Sequence, residues 1–224
     1  MGAALVAIVW VVAASAVSAS LRLPIDVDGS SAALAGWAVL LWPNAVLAAL
    51  AAWWLARRGQ LRDLMRFRPG DPSLGIGLCL LLLLMAWLST LVLLPPDSVS
   101  HAWLLRVFLL AGDTSGAASI GCLMGLAVCE ELVWRGFVQA ELAARFGPRR
   151  GWIIAAALYA TAYCPTLFTL RDAAAGPNPL LVLLALGSGL SWGFSTARSG
   201  RLMPAIISHA AFAYLATQYL GRLV

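Results

Sequence analysis

Seven stretches of this chain, at 2–20, 33–56, 73–94, 116–140, 151–170, 179–197 and 202–221, are close to twenty residues long and almost wholly apolar. Coiled as a helix, a run of that length matches the roughly 30 Å hydrocarbon core of a bilayer. In hydrocarbon the backbone must satisfy its own hydrogen bonds, and a helix does so within one segment. The expected fold is therefore all-α, a polytopic transmembrane helix bundle of about seven spans with the lipid bilayer as its surroundings. The segment 102–112, "AWLLRVFLLAG", is about half the needed length and carries Arg106, so it reads as a short interfacial or re-entrant helix. With 62% hydrophobic and 11% charged residues, and a mean hydropathy of +0.87, the 224 residues leave no room for a soluble domain. Residues 1–224 read as one membrane domain.

All fifteen basic residues are arginine, and the net charge of +5 is gathered in short loops, which suits a membrane boundary and argues against nucleic acid as a partner. "RRGQLRDLMRFRPGD" holds five arginines, "RFGPRRG" three and "RSGR" two, so these three loops are expected on the cytoplasmic side. An even number of crossings must then separate the first two, which requires 102–112 not to span and puts the N-terminus in the cytoplasm. The first run also offers small residues at cleavage spacing in "ASAVSAS", but no positive charge precedes it, which favours a retained span over a signal peptide. Cys79, Cys122, Cys129 and Cys164 fall in apolar runs without metal-site or disulfide spacing and read as small core residues.

Against this background the stretch "CEELVWRGF", 129–137, stands out, because ionisable groups are costly in hydrocarbon. On an α-helix Glu131 and Arg135 are four apart and share a face, in the favourable acid-before-base order. Glu130 is five residues from Arg135 and is turned roughly 140° away from it. One glutamate is thus neutralised and the other left over, and a leftover carboxylate must face the bundle interior or a water-filled cavity. Glu130 is accordingly the candidate general base for water, while an ion network that only joins helices is the structural alternative. His209 lies well inside the last run and can present its imidazole to the same cavity, although a lone buried histidine is often a packed core residue. Glu141 and His101 fall at interfaces and carry no assigned chemistry.

These residues resemble a known family. "EELVWRGF", then "ARFGPRRGWIIAAALYATAYCPTLF", then "GSGLSWGFSTARSGRLMPAIISHAAFAY" are similar to the CPBP family of intramembrane proteases, also called the CAAX protease and bacteriocin-processing or Abi family. The likeness covers 116–220, leaving 1–115 as additional N-terminal spans. It implies a helical membrane bundle in a bacterial-type inner membrane that cleaves a peptide or C-terminal tail of a membrane-associated substrate. It also implies that Glu130 activates water, that Glu131 and Arg135 support it and that His209 assists. The family's second motif, F-x-x-x-H, aligns with Tyr159-Ala-Thr-Ala-Tyr163, so Tyr163 stands at the histidine position. Its hydroxyl can donate to a developing oxyanion. The third motif, H-x-x-x-N or H-x-x-x-D, aligns with His209 followed by Ala213. Family members are often described as metalloproteases, but a catalytic zinc needs three protein ligands and only Glu130 and His209 are on offer, so no metal or other cofactor is expected.

Two other readings use the same residues. A catalytically degenerate relative would bind a peptide or protein partner in the membrane, in an immunity or chaperone-like role. A small transporter would use Glu130 as a proton relay, but the remaining runs hold almost no polar residues to line a path. The arginine distribution yields a direct test of topology. A reporter fused after Arg68 or Arg150 is expected to read cytoplasmic and one after Ala175 external; an external signal at Arg150 overturns the map and the non-spanning assignment of 102–112.

Overall fold

The computed structural model describes residues 2–21, 30–111 and 116–219. Its elements, in order, are α1 (Gly2–Ser20), α2 (Ser30–Arg57), α3 (Leu61–Leu64), α4 (Asp71–Leu93), α5 (His101–Ala111), α6 (Ala117–Glu130), a π-helix (Glu131–Val138), α7 (Gln139–Phe146), α8 (Pro148–Ala162), α9 (Thr166–Thr169), α10 (Leu180–Ser199) and α11 (Met203–Tyr219). Among the described residues six helical stretches are long and apolar enough to cross a membrane. They coincide with the first six expected spans, and the protein is a helical-bundle integral membrane protein. The seventh, 202–221, is described as the 17-residue α11, and positions 220 and 221 lie outside the described residues, as does 220 of the expected 116–220 core. α5 has 11 residues, about 16 Å of helix, which is too short to span.

The longest continuous stretch is Ala117–Phe146, 30 residues that run from α6 through the π-helix into α7 without a break. α6 packs against α2 and α11, α7 turns back onto α8, and α8 packs against α10. Gly147, with φ of +86°, makes the sharp turn between α7 and α8, and Pro148 at the first helical turn starts the return. α1 lies on α2 and α8 and contributes Val6, Val9 and Ala13 to the core. Its Trp10 donates to the Thr161 hydroxyl of α8 at 2.9 Å, so the first apolar run is an integral wall of the bundle. Pro43 inside α2 has no N–H for the preceding turn, and the Asn44 amide donates to the Leu40 carbonyl at 2.9 Å beside that gap.

Two polar seams close the ends of the bundle. At the outer-facing end by arginine counting, Asn178 donates to the Trp103 carbonyl and Trp103 to the Gly176 carbonyl, fastening α5 to the α9–α10 loop. In that loop the Ala174 and Ala175 N–H groups, with Arg106 beside them, hold the Asp172 carboxyl below its ordinary range. At the arginine-rich end the fully buried Asp71 carboxylate receives Arg201 at 2.6 Å and the Arg68 backbone N–H at 2.8 Å. The same seam holds a backbone bond from Leu202 to the Leu64 carbonyl. Above it α4 and α11 meet at Gly75, where even a methyl group would lie within 3 Å of Ile207 and the Pro204 carbonyl. Sequence periodicity gave no reason to single out Asp71, because its partner is 130 residues away. Asp71→Asn leaves Arg201 without its counter-charge, and thermal unfolding in detergent is expected to show a loss of about 3 kcal/mol. A midpoint equal to the parent's would show that this seam is solvated and dispensable.

Candidate active site

The two glutamates sit where α6 passes into the π-helix, both buried: Glu130 is 4% and Glu131 0% exposed. Hydrogen bonds in a π-helix close five residues apart, so it advances less per residue than an α-helix. Both carboxylates point into one space shared with α8, α10 and α11, although only Glu131 pairs with the arginine. Arg135 Nη1 lies 3.2 Å from Glu131 Oε1, as the four-residue spacing requires. The guanidinium makes no aligned hydrogen bond; it is held by charge and by two aromatic faces, with Tyr159 at 4.4 Å and Trp192 at 5.1 Å.

His209 joins the two glutamates. Its Nδ1 is 2.8 Å from Glu131 Oε1, and its Nε2 is 3.8 Å from Glu130 Oε2. An ionised carboxylate only accepts, so Nδ1 donates to Glu131 and Nε2 is the nitrogen that faces Glu130. The ring is stacked on Trp192, with centroids 3.9 Å apart and planes 18° from parallel. Trp192 is itself fixed by donating to the Ser208 hydroxyl at 3.0 Å. The imidazole therefore has one orientation, set by Glu131 on one edge and an indole on its face.

Glu130 is held from the other side by tyrosines. Tyr159 donates to Oε2 at 2.7 Å and Tyr163 to Oε1 at 3.0 Å. Each phenol has one proton and both are spent on the carboxylate, so the 3.4 Å approach of the two hydroxyls is a contact without a bond of its own. Tyr159 and Tyr163 are four apart on α8 and share a face. Tyr159 reaches inward past Gly189 of α10, where a Cβ would lie only 3.2 Å from the ring's Cδ1. The second carboxylate oxygen thus has Tyr159 on one lone pair and open geometry towards His209 Nε2 on the other.

All five expected site residues, Glu130, Glu131, Arg135, Tyr163 and His209, come together here. Ala213, one turn beyond His209, offers no side-chain polar group, and its carbonyl accepts from Thr217 within α11. Two participants were not anticipated. Tyr159 reads in the motif alignment as a packing aromatic, and its signal was the i, i+4 relation to Tyr163. Trp192 sits among Gly187, Gly189 and Gly193, and a large ring in a run of glycines was the available hint. His101 Nδ1 donates to the Leu94 carbonyl at 3.1 Å, and Glu141 pairs with Arg58 at 3.1 Å, both away from the site. Among the described residues no three His, Cys, Asp or Glu side chains converge on a point that could hold a metal ion. Within this cluster Glu130 and His209 Nε2 are the groups placed to hold a metal ion, one fewer than the three protein ligands that a catalytic zinc takes.

Residues 114–215, just under half of the chain, match the family model described as type II CAAX prenyl endopeptidase Rce1-like, consistent with the resemblance to the CPBP family. The match contains all of the residues gathered around Glu130. No curated protein matches the chain, and no solved structure does. The family supports a protease hydrolase, an intramembrane endopeptidase in general, whose substrate is a peptide or protein in the membrane.

The unequal surroundings of the glutamates predict unequal consequences of removing their charge. Glu131→Gln strands Arg135 and weakens the hold on His209, so about 3–5 kcal/mol of stability is expected to be lost. Glu130→Gln keeps an acceptor oxygen for one tyrosine and is expected to cost about 1 kcal/mol. Thermal melts of purified protein in detergent separate the two; equal losses would mean that Glu130 is as structural as Glu131.

Proposed function

From the family match over 114–215, we propose that this protein is a glutamic-type intramembrane endopeptidase that cleaves a peptide or C-terminal tail of a membrane-associated substrate by glutamate-activated water. The observation that carries the reading is the 3.8 Å separation of Glu130 Oε2 and His209 Nε2, too long for a direct hydrogen bond. With His209 neutral both are proton acceptors, and a water seated beside them, off the line that joins them, donates one proton to each and turns its oxygen lone pair towards a substrate carbonyl. The residues at 116–220 form the catalytic core and 1–115 supplies supporting spans.

In this mechanism the water oxygen bonds to the scissile carbonyl carbon as its proton passes to Glu130 Oε2, giving a tetrahedral oxyanion. Tyr163, the more exposed of the two phenols, turns its hydroxyl from Oε1 to that oxyanion. The carbon–nitrogen bond then breaks, the proton held by Glu130 passes to the leaving amine, and the products are a carboxylic acid and an amine. Glu131 fixes the His209 tautomer, much as a buried acid orients the histidine of a serine hydrolase. Arg135 balances the charge of Glu131. No metal enters any step. Because Glu130 is 4% exposed, a substrate reaches it only when the surrounding helices part. The arginine-rich loops support an N-terminus in the cytoplasm of a bacterial-type inner membrane.

The test is cleavage in proteoliposomes of two probes, a farnesylated peptide ending in a CAAX sequence and a peptide with an unlipidated transmembrane tail. The parent is expected to cleave at least one, Glu130→Gln neither, and Tyr163→Phe roughly 10²-fold more slowly than the parent with its KM unchanged. Equal product from the parent and Glu130→Gln on both probes replaces the peptidase reading with that of a peptide-binding relative.

A further inference from the structure

The gap between Glu130 and His209 needs an explanation of its own. A carboxylate and an imidazole nitrogen facing each other in a buried, low-dielectric site lower their energy by taking up a proton between them, which draws them into a direct charge-assisted hydrogen bond at about 2.8 Å. The structure keeps them 3.8 Å apart instead. His209 cannot retreat or advance, since Glu131 holds one edge and Trp192 its face. The spacing is therefore decided by what holds Glu130 back.

We propose that the Tyr159 hydroxyl is the strut that keeps this gap open, a positioning residue that acts through Glu130 and whose removal lets the carboxylate close onto His209 Nε2. Its bond to Oε2, at 2.7 Å, is the shorter of the two tyrosine contacts and goes to the oxygen nearest His209. Its ring cannot drift. Trp134 meets it edge-on with centroids 5.4 Å apart, Arg135 lies against its face and Gly189 receives its edge. Tyr163 holds the far oxygen, Oε1, from a less buried position, so it can leave without releasing Oε2. The two phenols thus divide the work: Tyr159 stays and spaces the acceptors, and Tyr163 is free to follow the oxyanion. Only the kinetic consequence rests on the peptidase reading; the spacing itself does not.

Histidine nitrogen NMR reads the gap directly, because the chain has two histidines and His101→Gln assigns the other. In full-length parent protein in nanodiscs the Nε2 resonance of His209 is expected at the unprotonated, imine-like position. In Tyr159→Phe, which keeps the ring and its packing, it is expected to move to the protonated position as Glu130 closes on it; in Tyr163→Phe it is expected to stay. On a probe that the parent cleaves, Tyr159→Phe is expected to lower kcat about tenfold, the worth of one hydrogen bond, with KM unchanged. A protonated Nε2 in the parent, or an unmoved resonance in Tyr159→Phe, overturns the strut whether or not either probe is cleaved. An inactive parent with the expected resonances would overturn the peptidase reading alone and leave the strut standing.

Discussion

The arrangement depends on one buried anion, the Glu131 carboxylate. At an effective dielectric of about 20 a single opposite charge at roughly 4 Å returns on the order of 4 kcal/mol, while desolvation costs several kcal/mol for each ion. The pair with Arg135 therefore does not break even by itself. The deficit is met by His209 Nδ1 on the same oxygen and by the aromatic faces of Tyr159 and Trp192 against the guanidinium. Those partners come from α8, α10 and α11. Neutralising one charge in hydrocarbon thus gathers three further helices around the motif helix.

Glu130 is placed by this gathering rather than by its own pairing. Its contacts are two phenols that donate to it and one imidazole at a distance, none of them an arginine. Small residues at the helix contacts bring the other walls close enough to matter. Gly189 admits the Tyr159 ring and Gly75 lets α4 rest on α11, the contact geometry that packing in a membrane favours.

The membrane fold was legible because hydrocarbon imposes a length and a composition that the sequence must carry locally. The first six spans and the short α5 follow from runs of adjacent residues. The Glu131–Arg135 pair was legible for the same reason, since four residues on one helix set a contact without help from the rest of the chain. Tyr163 was found through its place in a motif and Tyr159, a turn away, was passed over, because motif reading assigns roles by position and the 2.7 Å bond to Glu130 exists only when α8 lies beside α6.

What the sequence determined by itself was the all-helical bundle, the location of the charged motif within it and the pairing inside one helix. Only the tertiary structure decided which glutamate oxygen meets which phenol, that Trp192 backs His209, and that Asp71 answers Arg201 across 130 residues. The physical reason is one of range. Local spacing fixes which side chains share a helix face, whereas the distance between a carboxylate and an imidazole on different helices is set by how those helices pack. A difference of 1 Å there separates a direct hydrogen bond from two groups that only face each other.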